Sequence, residues 1–323
     1  MKHTTRKWLI LVLLIFWVAA AVYGWFLVHE EDNAKLKSVT IGFQAGDEFD
    51  IAKNRGQFAQ KMEKKGYKVK FKEFQNGAAM MQALATGNVD YARVGDTPPV
   101  SALAAKTKLT YVAAGGTKEK GSGIMVKKNS GISSVKDLKG KRVAYTKGTS
   151  SQYMVLRALH KAGLGVDDIK WVNLDQDAAA VAYSKDKVDA WANWDPTVAQ
   201  VELTENSKLL VNGSQTGAVN RSFIVSPAKF AKNHRSLSRL IIKYGEQDMH
   251  WANTHHQKVI KMMSKDLKLS KKVVALATKR RVFGIYKMND EYVKEEQQIA
   301  NTFYQSGILN KQVTISKHVD YLK

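Results

Sequence analysis

The sequence predicts an α/β protein made of two similar lobes, and three observations lead there. From residue 38 onward, short β-prone runs alternate with amphipathic stretches at helical spacing. Two polar, glycine-containing segments, 115–123 and 213–217, break that alternation and read as crossings between units. A twenty-residue pattern also occurs twice. With 323 residues, 44% of them hydrophobic, the chain is long enough for two units and apolar enough for a packed core.

The N-terminus comes first. Lys2, Arg6 and Lys7 precede an uncharged run over 8–28, and Glu30-Glu31-Asp32 follow it. The run is long enough to cross a hydrocarbon core, and the basic flank places the N-terminus, 1–7, on the cytoplasmic side. Trp8 at one end and Tyr23 and Trp25 near the other suit interfacial anchoring. Ala19-Ala20-Ala21 offers a cleavage site, so a secretion signal competes with an uncleaved single-pass anchor. The apolar continuation through Trp25-Phe26-Leu27-Val28 favours the anchor. Either way the body is extracytoplasmic, tethered at the cell membrane in the favoured case.

Next, strands are expected at 39–43, 68–71, 89–94 and 109–113, with helices at 52–64, 78–86 and 98–106 between them. After the first crossing, strands at 124–126, 142–145, 169–173, 188–192 and 209–211 alternate with helices at 151–162, 178–184 and 197–203. One more strand, 222–225, follows the second crossing. The remainder is read as mostly helical from the spacing of Leu237, Leu240, Ile241 and Tyr244.

The repeat pairs "GAAMMQALATGNVDYARVGD" with "QDAAAVAYSKDKVDAWANWD". Ala79/Ala178, Ala83/Ala182, Val89/Val188, Asp90/Asp189 and Asp96/Asp195 coincide. Each copy reads as helix, turn, Val-Asp strand, then a polar loop ending in Asp. Two such loops at strand carboxyl ends would face a cleft between the lobes, the place where open α/β sheets bind ligands.

Composition excludes several functions. The chain lacks cysteine, and with it disulfides, thiolate metal sites and a cysteine nucleophile. The net charge of +22 raises nucleic acid as a partner, but the lysines are spread along the chain with no DNA- or RNA-reading motif. The basic surface suits anionic solutes instead. No HExxH pair, phosphate loop or nucleophile elbow is present, and His160 stands too far along a helix to serve Ser150 or Ser151 as a base. No catalytic residue, metal ligand or cofactor is expected, and a hydrolase is the weaker rival.

Three loops read as ligand-facing. "GDTPPV" ends a strand and starts a helix at its prolines, with Asp96 or Thr97 as cap. "KGTSS" puts Thr149, Ser150 and Ser151 where a helix leaves N–H groups unpaired and its dipole is positive. An anion suits that place, and so does a plain helix cap. "DAWANWDP" sets Trp191 and Trp194 beside a helix start, as core packing or as one apolar wall. Together the loops suit an amphipathic anion, its head on helix openings and its tail against indoles.

The segments "FQNGAAMMQAL", "VGDTPPV", "VKDLKGKRVAYTKGTSSQYMVLRAL" and "VDAWANWDP" resemble the substrate-binding proteins of aliphatic sulfonate ABC importers, a group beside taurine- and nitrate-binding relatives. The resemblance implies a type II periplasmic-binding-protein fold, two α/β lobes on a two-crossing hinge, here preceded by one N-terminal transmembrane helix. Lobe I would comprise 38–117 and 219–323, and lobe II 118–218. Cleft residues would fall on Gln44, Asp96 and Thr97, on Thr149, Ser150 and Ser151, and on Trp191, Asn193, Trp194 and Asp195. Thr97 and Asn193 stand where more apolar residues are expected, which makes a polar sulfonate such as taurine plausible as well as an alkanesulfonate. Asp96 or Asp195 would meet taurine's ammonium or cap the adjacent helix. The implied protein is a monomer without catalysis, whose partners are a small anion, an ABC permease and its ATPase. Nitrate, another small oxyanion and a thiamine-precursor-like heterocycle are the alternative cargoes.

Overall fold

The structure is a computed structural model and describes residues 17–20 and 37–322. Of the anchor expected over 8–28, only 17–20 fall within that range, as helix; the rest lies outside the described residues. No helix among the described residues is long and apolar enough to cross a membrane.

The first lobe opens with β1 (Lys37–Phe43), α1 (Glu48–Arg55), α2 (Gln57–Glu63) and β2 (Tyr67–Glu73). Then come α3 (Gly77–Ala85), β3 (Tyr91–Val94), α4 (Thr97–Ala104) and β4 (Leu109–Thr117). The single helix expected at 52–64 is two. Gly56 at φ 76° ends α1 in a left-handed cap, its N–H reaching the Ala52 and Lys53 carbonyls, and α2 restarts at once.

A 3-10 turn (Glu119–Gly121) leads into the second lobe with β5 (Ser122–Lys127), β6 (Arg142–Tyr145) and α5 (Ser150–Ala162). It continues with β7 (Lys170–Asn173), α6 (Gln176–Ser184), β8 (Ala190–Trp194), α7 (Thr197–Thr204), β9 (Ser207–Asn212) and α8 (Gly213–Thr216). The chain then re-enters the first sheet as β10 (Arg221–Pro227). It closes with α9 (Ala228–Asn233), α10 (Arg235–Thr254), α11 (His256–Asp266), α12 (Lys271–Lys279), β11 (Ile285–Lys287) and α13 (Asp290–Gln305). β11 was not expected. Only three residues long, it is too short to show a period.

The lobe I sheet runs β11-β4-β10-β3-β1-β2 and the lobe II sheet β7-β6-β8-β5-β9. β1 lies parallel to β2 and β3, while β10 is antiparallel to β3 and β4. Lobe II repeats the scheme, with β6 parallel to β7 and β8, and β5 antiparallel to β8 and β9. Both crossings therefore occur where an antiparallel strand is inserted beside the parallel core, between β4 and β5 and between β9 and β10.

The twofold sequence pattern has a structural meaning. Asp90 accepts the Thr40 N–H at 2.8 Å, and Asp189 accepts the Arg142 N–H at 2.7 Å. Each carboxylate thus ties the entry of a core strand to its parallel neighbour. The helices before them are capped alike, Asn76 on Ala79 N and Asp175 on Ala178 N.

Phe43, Phe49, Phe58 and Tyr91 fill one side of the lobe I sheet under Ile241 of α10. Each such side chain contributes about 1.5–3 kcal/mol by leaving water. On the other side a second core runs without a break from Val94 and Val100 into Val126, Val155 and Leu159 of lobe II. There Tyr153 of α5 meets Phe303 of α13, ring centroids 6.2 Å apart. The lobes are therefore packed against each other as well as linked.

Candidate functional site

The carboxyl ends of β1 and β3 carry lobe I's loops, and the helices that follow turn their N-termini toward lobe II. Pro98 and Pro99 sit in the first turn of α4, where a missing N–H costs nothing. Gly77 allows that approach: a Cβ there would lie 2.4 Å from Pro98 Cγ. In lobe II, Thr149 opens α5, its hydroxyl accepting Ser151 N at 3.3 Å.

The two openings meet. Ser150 Oγ donates to Asp96 Oδ1 at 2.6 Å, and Thr97 Oγ1 donates to the Gly148 carbonyl at 3.2 Å. Asp96, read from sequence as a possible cap of α4, makes no side-chain cap bond. Burial pushes its carboxyl up to about 6, against the lowering effects of the Ser150 hydroxyl and the Lys118 ammonium.

The other expected residues divide. Thr149 and Ser151 hold their own loop: Thr149 Oγ1 donates to the Thr146 carbonyl at 2.7 Å, and Ser151 Oγ accepts Thr146 N at 3.0 Å. Gln44 is half-buried at the end of β1, and its N–H donates to Asp47 Oδ2 at 2.8 Å. Asn193 Nδ2 donates to Gln176 Oε1 at 3.2 Å, and Asn193 Oδ1 accepts Trp194 N.

The paired-indole wall needs correcting. Trp191 is 2% exposed and packs in the lobe II core with Met125, Tyr183, Val188 and Val198. Side chains alternate along β8, so Trp194 does not share its face. Of the two, Trp194 is the one half-buried rather than buried.

Asp195 faces the hinge. Its Oδ1 accepts Ala199 N at 2.9 Å, the capping role weighed from sequence, while Oδ2 is buried without a hydrogen-bond partner among the described residues. Burial raises this carboxyl to about 6, opposed by Arg280, whose Nη1 stands 3.8 Å from Oδ1. Gly121 makes the fit possible, because a Cβ there would be 2.1 Å from Asp195 Oδ2.

A set of buried charges went unnoticed in the sequence. Arg93 of β3 donates to Glu48, and Arg281 donates to the same carboxylate at 2.7 Å. Asp47 lies 3.6 Å from Arg93 Nε. Although burial opposes it, the combined attraction of Arg93 and Arg281 holds Glu48 down at about 2. Arg280, beyond α12, reaches across to Glu202 of α7. Arg93 Nη2, Arg280 Nη1 and Arg281 Nε are buried with no hydrogen-bond partner among the described residues. Lys118, in the crossing, is 7% exposed and pushed down to about 7 by burial and by Arg93 and Arg281. Lys118, Arg280 and Arg281 line a cavity of about 30 Å³ together with Gly121 and Asp195. An arginine in the middle of an apolar strand ("YARV") was the one available signal. Lys118 sat in a stretch read only as a polar crossing.

The arrangement offers opposed helix openings, hydroxyls and under-used cationic donors between two lobes. Such donors can hold an anion.

A family model described as NMT1/THI5 like matches residues 49–258. A Bacillus subtilis (strain 168) protein named as aliphatic sulfonates-binding is 31% identical, over 90% of this chain and 87% of its own. The alkanesulfonate-binding protein SsuA from Xanthomonas axonopodis pv. citri, bound to MOPS, has a TM-score of 0.83 at 29% identity, over 89% of this chain and 99% of that one. The periplasmic aliphatic sulphonate binding protein SsuA from Escherichia coli has a TM-score of 0.82 at 30% identity, over 88% and 92%.

Proposed function

The chain belongs to the NMT1/THI5-like family and, within it, to the aliphatic sulfonate-binding proteins, and from that premise we propose that it captures an organic sulfonate for an ABC importer by closing its lobes on it. The observation that carries the reading is the meeting of α4 and α5 across the lobes at Asp96–Ser150 and Thr97–Gly148. A sulfonate is ionised at every physiological pH and presents three acceptor oxygens. Thr97, Ser150 and the N–H groups of both openings donate to it, and Lys118 supplies a positive charge at the hinge. Trp194 covers the carbon chain, which favours an organosulfonate over sulfate. Asp195 Oδ2 receives the ammonium of a ligand such as taurine. Thr149, Ser151, Gln44 and Asn193 keep the loops in place.

Lobe I consists of 38–117 and 219–323, and lobe II of 118–218. The closed form, which alone makes both sets of contacts, docks on the permease, and the ATPase drives import. The protein acts as a monomer without catalysis, tethered at the outer face of the cell membrane by 8–28.

A thermal-shift panel tests this, since a ligand that binds the native state raises its stability by mass action. Alkanesulfonates and taurine are expected to raise the transition, while sulfate, nitrate and a pyrimidine leave it unmoved. A shift with the pyrimidine or nitrate alone would reassign the cargo. In Ser150→Ala, loss of one charge-assisted bond weakens every sulfonate by about 10–100-fold. In Trp194→Ala the loss grows with chain length.

A further inference from the structure

We propose that the end of lobe I opposite the cleft is a basic platform that lies on the anionic phospholipid headgroups of the membrane. Strand direction defines that end. β1, β2 and β3 are parallel and start there, and β10 finishes there against the start of β4, with Pro227 opposite Leu109. At the β1–β2 corner, Lys64, Lys65 and Lys68 are exposed, and the Lys37 N–H closes the corner on the Gly66 carbonyl at 2.9 Å. At the β4–β10 corner, Lys106, Lys108, Lys229, Lys232, Arg235 and Lys317 are exposed. Lys317 is brought there by the segment that pairs Val319 with Tyr111.

Four acids among the described residues stand against these cations; one, Asp290, accepts the Tyr321 hydroxyl at 2.9 Å. Asp320 pairs with Arg235 at 2.7 Å, and Asp90 accepts the Thr40 N–H. Glu63 is exposed. Of the named cations, only Arg235 has an ion-pair partner among the described residues. Lys232, Arg235 and Lys317 also line a groove of about 290 Å³, large enough for a headgroup phosphate.

The chain enters lobe I at this same end, at Lys37. Between it and the apolar run 8–28, residues 29–36 span at most about 28 Å when fully extended. Anchored through 8–28, the platform is held within reach of the bilayer, and the cleft points away from it. The orientation rests on the anchor reading; the charge of the platform does not.

The chain has no cysteine, so a fluorophore attaches uniquely to an introduced one. Asn233→Cys marks the platform and Gln75→Cys the cleft end, both at exposed positions. The full chain is reconstituted in vesicles carrying a headgroup acceptor, with phosphatidylglycerol or with phosphatidylcholine alone. Energy transfer in phosphatidylglycerol is expected to be stronger from the platform. It should fall in about 1 M salt, where the screening length is near 3 Å. It should also fall in the Lys229→Glu, Lys232→Glu, Lys317→Glu variant. Equal transfer from both positions, or unchanged transfer in phosphatidylcholine, overturns the proposal. Extraction of the chain by alkaline carbonate would remove the anchor and not the platform. The platform is then read by sedimentation with phosphatidylglycerol vesicles, expected to weaken about 100-fold in the triple variant. Failure to sediment, or binding only to a soluble anionic wall polymer, overturns it.

Discussion

Asp96 is where charge, burial and lobe contact coincide. Its carboxyl is raised from 3.8 to about 6, so the folded state favours its protonated form. The stability this contributes is complete below pH 4 and is lost as the pH climbs through 6. Asp96→Asn keeps the acceptor for Ser150 and removes the titration. Denaturant unfolding should show the variant gaining on the parent by on the order of 2 kcal/mol between the two ends of that window. A parallel pH profile would mean that Asp96 is solvated. Lys118 makes the matching prediction for the ligand. A sulfonate does not titrate, so the part of its affinity that Lys118 contributes should hold below pH 7 and decline above it as the ammonium is lost, by about tenfold over the next one to two units. Lys118→Met should bind more weakly and without that slope; calorimetry across the range decides. At this scale the sequence was readable where chemistry is local. The Thr149 cap and the helix opening at Thr97 follow from neighbours in the chain. Trp191 was misassigned because an indole beside polar residues looks the same from sequence whether it faces a cleft or a core, and strand alternation separates it from Trp194 only once β8 is placed.

Helix starts govern the site at the next scale. α4 and α5 aim at each other because α3 packs beneath Pro98 through Gly77, and because the Thr146–Ser151 loop is tied by its own hydroxyls. Gly77→Ala forces a methyl into the space of Pro98, costing roughly 1–3 kcal/mol as overpacked cores do. The expected outcome is a lower transition temperature together with weaker sulfonate binding, since Thr97 moves with Pro98. Loss of stability with affinity intact would show that the α4 opening is not a ligand contact. The repeated element was visible in sequence through five coincident residues, and its Val-Asp signature maps onto Asp90 and Asp189 fixing strand entries. Gly56 was visible too, yet the helix pattern ran through it, since periodicity registers the face and not the cap. β11 was beyond reach for the opposite reason: its place comes from pairing with β4, 170 or so residues upstream in the chain.

For the whole molecule, the contacts between lobes define a closed state held on two sides. On one, Asp96 meets Ser150 and Thr97 meets Gly148; on the other, Arg280 reaches Glu202 while Val273 and Ala277 pack on Ala199. Arg280→Ala removes an inter-lobe pair at partly exposed positions, worth about 1 kcal/mol, so affinity should fall about fivefold. The radius of gyration of the ligand-free protein should rise in solution scattering. The two-lobe plan was legible because each crossing changes composition. The Glu48–Arg93–Arg281 cluster was not, because three distant segments supply its charges and no local spacing joins them. The account as a whole depends on a negative headgroup being held where the helices of both lobes open. The direct measurement is calorimetric titration of an alkanesulfonate against the uncharged sulfonamide of the same chain length. Binding of the sulfonate with no measurable heat from the sulfonamide is the predicted result; equal affinity for the two would contradict it.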